Sequence, residues 1–163
     1  MLVPGAAATF VETFPPSFNM ATAPPLETGA LDNPRVQAIR AYQAAMARGD
    51  YARGAAVFAP TVRYSVPGHN ALSGEYNGPQ AVMGYLGRVM ALTGGTYRIE
   101  AMHWLANDRD QVALFTVNHA ERAGRAFTWE ETLVFQFEDG RKVWIEHFQA
   151  DQAGADAFYG PAR

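Results

Sequence analysis

The spacing of apolar residues along the chain changes at Gly95. Before Gly95, apolar residues such as Ile39, Tyr42 and Met46 recur every three or four positions, which is typical of amphipathic helices. After it, apolar and polar residues alternate, which is typical of strands that bury one face. We therefore predict an α+β fold in which three N-terminal helices pack on the concave face of a curved antiparallel sheet.

Capping residues and turn residues set the expected bounds of these elements. The helices are predicted to run from Pro34 to Gly49, from Asp50 to Phe58 and from Pro79 to Gly94. A strand over 61–66 and a turn-rich loop over 67–78 separate the last two helices. Four long strands follow over 96–106, 111–121, 126–138 and 141–150, joined by short turns that make neighbouring strands antiparallel. Asp151 is expected to cap a short final helix that ends at Phe158.

Residues 1–32 differ from the rest of the chain. They contain five prolines, no Lys and no Arg, and they show no periodic apolar pattern. We expect a flexible tail here and a single domain over 33–160. Alternatively, Phe10, Phe14 and Phe18 dock on a neighbouring subunit. The segment lacks the features of a secretory signal or a membrane span, and we expect a cytoplasmic protein.

Composition narrows the classes of function. The 163 residues carry a formal net charge of −3 and no run of basic residues, so neither nucleic acid nor a membrane surface is expected as a partner. The chain has no cysteine, which excludes disulfides, thiolate metal sites and thiol nucleophiles. Charged residues make up 18 %, below the usual level of about 25 %, which favours a homodimer that covers part of the surface.

Motifs for nucleotide or metal binding are missing from the sequence. It contains no glycine-rich phosphate loop, and its four histidines do not have the spacing of metal ligands. We therefore expect no cofactor and no metal.

The last predicted hairpin indicates which side chains face the concave side of the sheet. Asp139 and Gly140 form a strong two-residue turn signal, because both positions of such a turn need a positive φ. This register pairs Phe135 with Trp144, Leu133 with Glu146 and Glu131 with Phe148. The aromatic-rich set is expected to face inward. Val134, Val143, Ile145 and His147 are then predicted to lie on the outer face, where the aliphatic residues favour a dimer.

The preceding hairpin is expected to have a three-residue loop with Gly124 in the left-handed conformation. This register pairs Phe115 with Glu131, Val117 with Trp129 and His119 with Phe127. The odd-numbered side chains of residues 111–121 would then also face inward.

Three residues are candidates for acid–base chemistry. Glu131 and Glu146 are predicted to be diagonal neighbours about 7–8 Å apart on an apolar wall. Two such carboxylates raise the pKa of one of them, which makes it a general acid or base near neutral pH. Tyr42 on the first helix offers a hydroxyl to a developing oxyanion. The alternative is that the carboxylates are solvated or paired with arginine and that Tyr42 fills the core.

A second group of residues is expected to contact a ligand without reacting with it. This group comprises Trp129, Trp144, Phe148, His119, Leu133, Tyr64 and His69. His69 lies in a loop, where binding residues often collect. The alternative is that the tryptophans belong to the core and that His119 bonds to a backbone carbonyl.

Over about residues 33–160 the chain resembles the SnoaL-like branch of the nuclear-transport-factor-2-like (NTF2-like) superfamily. The resemblance is carried by the segments AIRAYQAAMARGDYARGAAVFAPTVRY, VPGHNALSGEYNGPQAVMGYL, TGGTYRIE, LANDRDQVAL and EDGRKVWIEHFQADQAGADAF. It implies a cone-shaped, cystatin-like α+β roll with an apolar pocket, usually dimeric through the outer sheet face. Members of the superfamily include ketosteroid isomerases, polyketide cyclases, dehydratases, epoxide hydrolases and proteins that are not enzymes.

The ketosteroid isomerase pattern is matched at one of its three functional positions. Its oxyanion tyrosine corresponds to Tyr42, but its general base falls at Tyr64 or Ser65 and its protonated aspartate falls at Leu133. Isomerisation by that mechanism is therefore not expected. We expect a cofactor-free protein that binds a small, apolar, oxygen-bearing molecule and isomerises, cyclises or dehydrates it, with Glu146 or Glu131 as base. The alternative is a non-catalytic ligand-binding or dimerisation module.

Overall fold

The computed structural model describes residues 24–161, and these residues form four helices and one curved, open sheet of seven strands. The helices are α1 (Pro34–Ala47), α2 (Tyr51–Ala55), α3 (Pro79–Leu92) and α4 (Gln152–Tyr159). The strands are β1 (Leu26–Gly29), β2 (Phe58–Val66), β3 (Gly74–Asn77), β4 (Arg98–Ala106), β5 (Gln111–Arg122), β6 (Arg125–Glu138) and β7 (Arg141–Gln149). The predicted α+β class is confirmed.

Local sequence signals account for the helix ends. The Asn33 side chain accepts the N–H of Arg35 at the start of α1, and Asp151 accepts the N–H of Gly154 at the start of α4. The second helix is shorter than expected. It ends at Ala55 because Phe58 already belongs to β2. None of the helices in the described part of the chain is long and apolar enough to cross a membrane.

The sheet has the order β1-β4-β5-β6-β7-β2-β3. The central strands β4 to β7 form the predicted antiparallel meander, but β1 pairs with β4 and β2 pairs with β7 in parallel. The fold therefore begins earlier than residue 33. Glu27 of β1 binds the Arg40 guanidinium at 2.9 Å, which ties this strand to α1. The expected docking residues Phe10, Phe14 and Phe18 lie outside the described residues.

A β-bulge in β7 decides which of its side chains face inward. The Asp139-Gly140 turn has positive φ at both residues, as predicted, and it pairs Phe137 with Lys142. The next pair joins Gln136 to Trp144, so Val143 is an extra residue on β7. All later residues of β7 are therefore shifted by one position relative to simple alternation.

The bulge reverses the predicted faces of β7. The predicted inward positions of Trp144, Glu146 and Phe148 are wrong, because all three lie on the outer face, where Trp144 is 43 % and Phe148 is 54 % exposed. Ile145 and His147, predicted to lie outside, are buried. They face the helices together with Gln149.

The turn between β5 and β6 also differs from the prediction. It has two residues, Ala123 and Gly124, both with positive φ, so that Arg122 pairs with Arg125. The longer loop is expected because a three-residue loop with a left-handed glycine is the usual bulge type, whereas a non-glycine residue such as Ala123 is uncommon at positive φ.

The two-residue turn shifts β5 by one position and exchanges its faces. Thr116 instead of Phe115 lies opposite Glu131, and Phe115 is exposed. The predicted inward position of His119 is wrong. Its ring lies on the outer face, 2.8 Å from the Thr128 hydroxyl.

The hydrophobic core lies between the concave face of the sheet and the helices. It includes Val36, Ile39, Val82, Val89, Trp104 and Phe137. The predicted inward positions of Trp129, Glu131 and Phe135 on β6 are confirmed, since all three side chains are buried. The helices and the sheet thus enclose several polar strand residues among apolar neighbours, and Glu131 is one of them.

Candidate functional site

A cavity of about 120 Å³ lies between α1, α3 and the concave face of the sheet. Most of its wall is apolar and includes Ile39, Met46, Phe58, Val82, Leu86 and Phe135. A smaller cavity of about 80 Å³ shares part of that wall. Glu131, Tyr64, Tyr97 and Leu133 line both cavities, so the titratable groups on the shared wall are one carboxyl and two phenols.

The Glu131 carboxylate is the centre of a buried hydrogen-bond cluster. Its Oε2 accepts the indole N–H of Trp129 at 2.9 Å and the amide of Gln149 at 3.1 Å, and it lies 3.0 Å from His147 Nε2. The Gln149 Oε1 is buried and has no hydrogen-bond partner among the described residues. Nowhere in this part of the chain do three or more His, Asp or Glu side chains form a group that could hold a metal ion.

The pKa of Glu131 reflects two opposing effects. Burial by itself raises the pKa of the carboxyl, because desolvation penalises the charged form. The charge and hydrogen bond of His147, with the bonds from Trp129 and Gln149, outweigh burial and lower this pKa below its ordinary value. The expectation that Glu146 lies close enough to raise the pKa of Glu131 is wrong. Glu146 lies on the outer face, where it accepts the Trp144 indole N–H at 2.8 Å.

His147 connects Glu131 to Tyr64. Its Nδ1 lies 3.1 Å from the Tyr64 hydroxyl, and the two rings stack with their centres 6.0 Å apart. When Nε2–H donates to Glu131, Nδ1 accepts the Tyr64 hydroxyl. When both ring nitrogens are protonated, Nδ1–H donates to the Tyr64 oxygen, and the phenol proton is available to an acceptor other than His147. Tyr85 is the neighbouring side chain that hydrogen-bonds with Tyr64. Burial raises the pKa of Tyr64 well above its usual value, so this phenol stays protonated.

A second buried series of hydrogen bonds joins Tyr97, just before β4, to two residues of β5. The Tyr97 hydroxyl donates to Asn118 Oδ1 at 3.0 Å, and the Asn118 amide donates to the Thr116 hydroxyl at 2.8 Å. Tyr97 and Thr116 both line the larger cavity. The sequence did not predict these hydrogen bonds, because the expected register placed Thr116 and Asn118 on the outer face of the sheet.

Lys142 lines the same cavity and is only 2 % exposed. Its Nζ lies 4.3 Å from the ring centre of Phe135, 4.8 Å from that of Tyr42 and 5.2 Å from that of Phe58. No acidic side chain of the described residues forms a salt bridge with it. Burial lowers the pKa of Lys142 to about 7.

Tyr42 and Gln43 of α1 also belong to the polar part of the cavity wall. Tyr42 is the titratable residue of the two. Its ring packs edge-on against Phe58 with ring centres 5.4 Å apart, and burial raises the pKa of its hydroxyl. The residue belongs to α1, where the helical spacing from Ile39 turns it toward the sheet. It therefore presents a neutral phenol close to the Lys142 ammonium position.

The structure brings together only part of the predicted site. Glu131, Tyr42, Tyr64 and Leu133 line the larger cavity, and Trp129 lines the smaller one. The remaining predicted residues lie elsewhere: Glu146, Trp144, Phe148 and His119 on the outer face, and His69 on an exposed loop with its Nδ1 4.0 Å from Asp156.

Sequence reasoning missed His147, Gln149 and Lys142. A signal for Lys142 was present, because the Asp139-Gly140 turn pairs it with the inward Phe137. Residues His147 and Gln149 gave no such signal, since the bulge that turns them inward involves no glycine or proline.

Comparison with known proteins shows the family of the chain. Residues 39–145 match the model of the SnoaL-like domain. The chain belongs to the SnoaL-like domain family. This SnoaL-like protein is 33 % identical over 128 residues to the uncharacterised protein Rv0034 of Mycobacterium tuberculosis, a match that covers 78 % of this chain and 98 % of the relative. The resemblance found in the sequence is thus confirmed.

Solved structures share the fold of the SnoaL-like protein. Bal32a, from a soil-derived mobile gene cassette, matches with a TM-score of 0.72 at 26 % identity, over 78 % of this chain and 97 % of its own. An NTF2-like protein of unknown function from Burkholderia pseudomallei matches with a TM-score of 0.67 at 23 % identity, over 78 % of this chain and 98 % of its own. The second match shows the fold alone.

Proposed function

We propose that this SnoaL-like protein binds a small apolar molecule with a carbonyl or hydroxyl group in the cavity and moves a proton on it without a cofactor. The observation that supports this proposal is the hydrogen-bonded series Glu131, His147 and Tyr64, of which Glu131 and Tyr64 line a largely apolar cavity. Reactions of this class include isomerisation, cyclisation and dehydration of a carbonyl compound.

Tyr64 is the hydrogen-bond donor in this proposal. In the form with both His147 nitrogens protonated, Nδ1–H donates to the Tyr64 oxygen, and Tyr64 donates to the oxygen of the bound molecule. The Glu131 carboxylate stabilises the positive charge on His147 from the other side of the ring. Charge that develops on the ligand oxygen is thus stabilised by a donor that is already oriented before the reaction begins.

Glu131 is the base in this proposal. All three of its hydrogen bonds go to Oε2, and no described residue donates to Oε1. This second oxygen takes the proton from a carbon next to the ligand carbonyl and later returns it at another position. A carboxylate with a lowered pKa is a weak base, so the reaction depends on Tyr64 and His147 to acidify that C–H bond.

Deuterium exchange into ligands tests the proposal without knowledge of the natural substrate. A panel of small cyclic ketones is incubated with the protein in D₂O, and exchange of the protons next to the carbonyl is followed by NMR. We expect the wild-type protein to accelerate exchange for at least one ketone. Glu131→Gln should slow this exchange by about 10²-fold or more, because Gln keeps a hydrogen-bond acceptor but is not a base.

Glu130→Gln is the matched control, since Glu130 is exposed on the outer face of the same strand. It should exchange ligand protons at the wild-type rate. Equal rates in wild type and Glu131→Gln would reject the catalytic role.

The second candidate function is non-catalytic binding of a similar ligand. The three hydrogen bonds to Glu131 Oε2 favour this function, because a buried carboxylate needs such partners even in a protein without catalytic activity. Ligand-observed NMR distinguishes the two candidates. Binding of a ketone without accelerated exchange supports the binding module.

A further inference from the structure

We propose that Lys142 is a second reactive group in the cavity, an amine that condenses with the carbonyl group of a compact apolar aldehyde or ketone to form an imine. This proposal does not depend on proton transfer by Glu131. It requires only that a carbonyl compound enters the cavity.

Lys142 is unusual in both its residue type and its location. Among 13 Lys and Arg residues it is the only lysine, and the other 12 are arginines. Lysine is almost never fully buried unless it is paired with an acid, yet this lysine is 2 % exposed and forms no salt bridge with a described residue. Arginine stays protonated in proteins, whereas a lysine amine can become neutral and act as a nucleophile.

The backbone holds Lys142 in place from both neighbouring strands. It pairs with Phe137 of β6 directly after the Asp139-Gly140 turn, and with Phe58 of β2 on the other side. Its own N–H donates to the Val57 carbonyl at 2.8 Å. The bulge at the next residue keeps both Lys142 and Ile145 on the inner face, which strict alternation would forbid.

The surroundings of the amine favour condensation with a carbonyl. The other titratable groups on the cavity wall are Tyr42 from α1, Tyr64 from β2, Tyr97 before β4 and Glu131 from β6. Among them only Glu131 is anionic at neutral pH. Because burial lowers the pKa of Lys142 to about 7, a large part of the amine is neutral and nucleophilic at physiological pH.

The reaction balances without any further reactant. The amine lone pair attacks the carbonyl carbon, and a proton moves from nitrogen to oxygen to give a carbinolamine. Loss of this hydroxyl group with the remaining amine proton releases one water and leaves a C=N bond. When the imine is protonated, the three ring faces around Nζ stabilise its positive charge as they do that of the ammonium.

Reductive trapping tests this proposal directly. The full chain is incubated at neutral pH with benzaldehyde and sodium cyanoborohydride, and modified sites are located by intact mass and peptide mapping. We expect one benzyl group on Lys142 of the wild-type protein, and none in Lys142→Met beyond labelling of the chain terminus. Peptide mapping of the wild-type protein identifies the labelled lysine even if a variant folds poorly, because Lys142 is the only lysine.

The matched control moves the lysine by one residue. The double variant R141K/K142M places the only lysine at an exposed position on the same strand. At neutral pH it should be labelled at least about tenfold more slowly than Lys142, because an exposed amine is almost fully protonated. The rate at Lys142 should rise with pH and level off above about pH 7, whereas that of the control should rise further.

Two results would overturn the proposal: labelling confined to the chain terminus, or equal rates for Lys142 and the control lysine. The Glu131→Gln variant separates this proposal from the proposed proton transfer. It should lose ligand exchange and keep the labelling of Lys142, so each idea can fail alone.

Discussion

Two buried ionisable side chains of this SnoaL-like protein are stabilised in different ways. Glu131 is surrounded by donors, and its charge is compensated by hydrogen bonds from three neighbouring side chains. The Nζ of Lys142 lies near three aromatic rings and forms no salt bridge with a described residue, and the rings replace the lost hydration incompletely. The first arrangement keeps a charge inside the fold at neutral pH, and the second favours its loss.

The charge of Lys142 should destabilise the folded state in a pH-dependent way. Burial lowers its pKa from 10.5 in the unfolded chain to about 7, so the unfolded state binds more protons between these values. The free energy of unfolding therefore increases as the pH rises from about 7 to 10.5. Below about pH 7 Lys142 is charged in both states, and its burial destabilises the folded state fully. Lys142→Met should be more stable by about 1–4 kcal/mol at pH 7 or below, with the gain shrinking toward higher pH.

Urea denaturation at about pH 6 and about pH 9 measures this effect. The control is Arg141→Met, which removes an exposed cation from the adjacent position and should change stability by less than about 0.5 kcal/mol. If Lys142→Met is no more stable than the wild type at the lower pH, the rings compensate the buried charge fully.

At the scale of single elements, the fold was predictable where the signals are local. The cap at Asn33, the cap at Asp151 and the Asp139-Gly140 turn all act within a few residues, and the structure contains each of them. The parallel pairing of β2 with β7 was not predictable in the same way. It depends on contact between segments about 80 residues apart, such as Tyr64 and Ile145.

The candidate site was only partly predictable for the same reason. Glu131 follows from the aromatic alternation of β6, whose inner face is strongly apolar. The bulge at Val143 coincides with a register shift between β2 and β7 that lies between Phe58 and Arg63. Both neighbours of β7 thus change register at the same place. A property of three strands together cannot be read from one of them, so His147 was assigned to the wrong face.

The β5–β6 turn contains a residue in an unfavourable conformation. Ala123 has a φ of 50°, a region that costs a residue with a Cβ about 1–2 kcal/mol. Ala123→Gly should remove this cost from the folded state. Glycine also gives the unfolded chain more conformational entropy, which offsets part of the effect, so the folded state should be stabilised by about 0.5–1 kcal/mol in total. Thermal denaturation measures the change.

Ala126→Gly provides the comparison, because Ala126 is an exposed residue of the adjoining strand β6. Glycine at that position should lower the stability, since it weakens a strand and gains no relief of strain. A decrease in stability for both variants would show that Ala123 is unstrained.

At the scale of the whole molecule, the outer face of the sheet carries apolar side chains that the fold leaves uncovered. Phe115, Thr132 and Phe148 are directly paired across β5, β6 and β7, and both phenylalanines are about half exposed. Trp144 and Val134 lie next to this row on the same face. Ile145, which was expected to extend this face, is buried inside.

We propose that a second copy of the chain covers this row, as the resemblance to NTF2-like proteins implies. Light scattering at micromolar concentration should then give the mass of a dimer for the wild type. Phe148→Glu should shift the protein to a monomer, because two symmetry-related charges would be buried in an apolar contact. Leu26→Glu is the control, since Leu26 is also an exposed apolar residue but lies on the edge strand β1, away from the row. It should remain dimeric. A wild-type protein that is monomeric at this concentration would leave the outer face without a partner copy, and the low charge content would need another explanation.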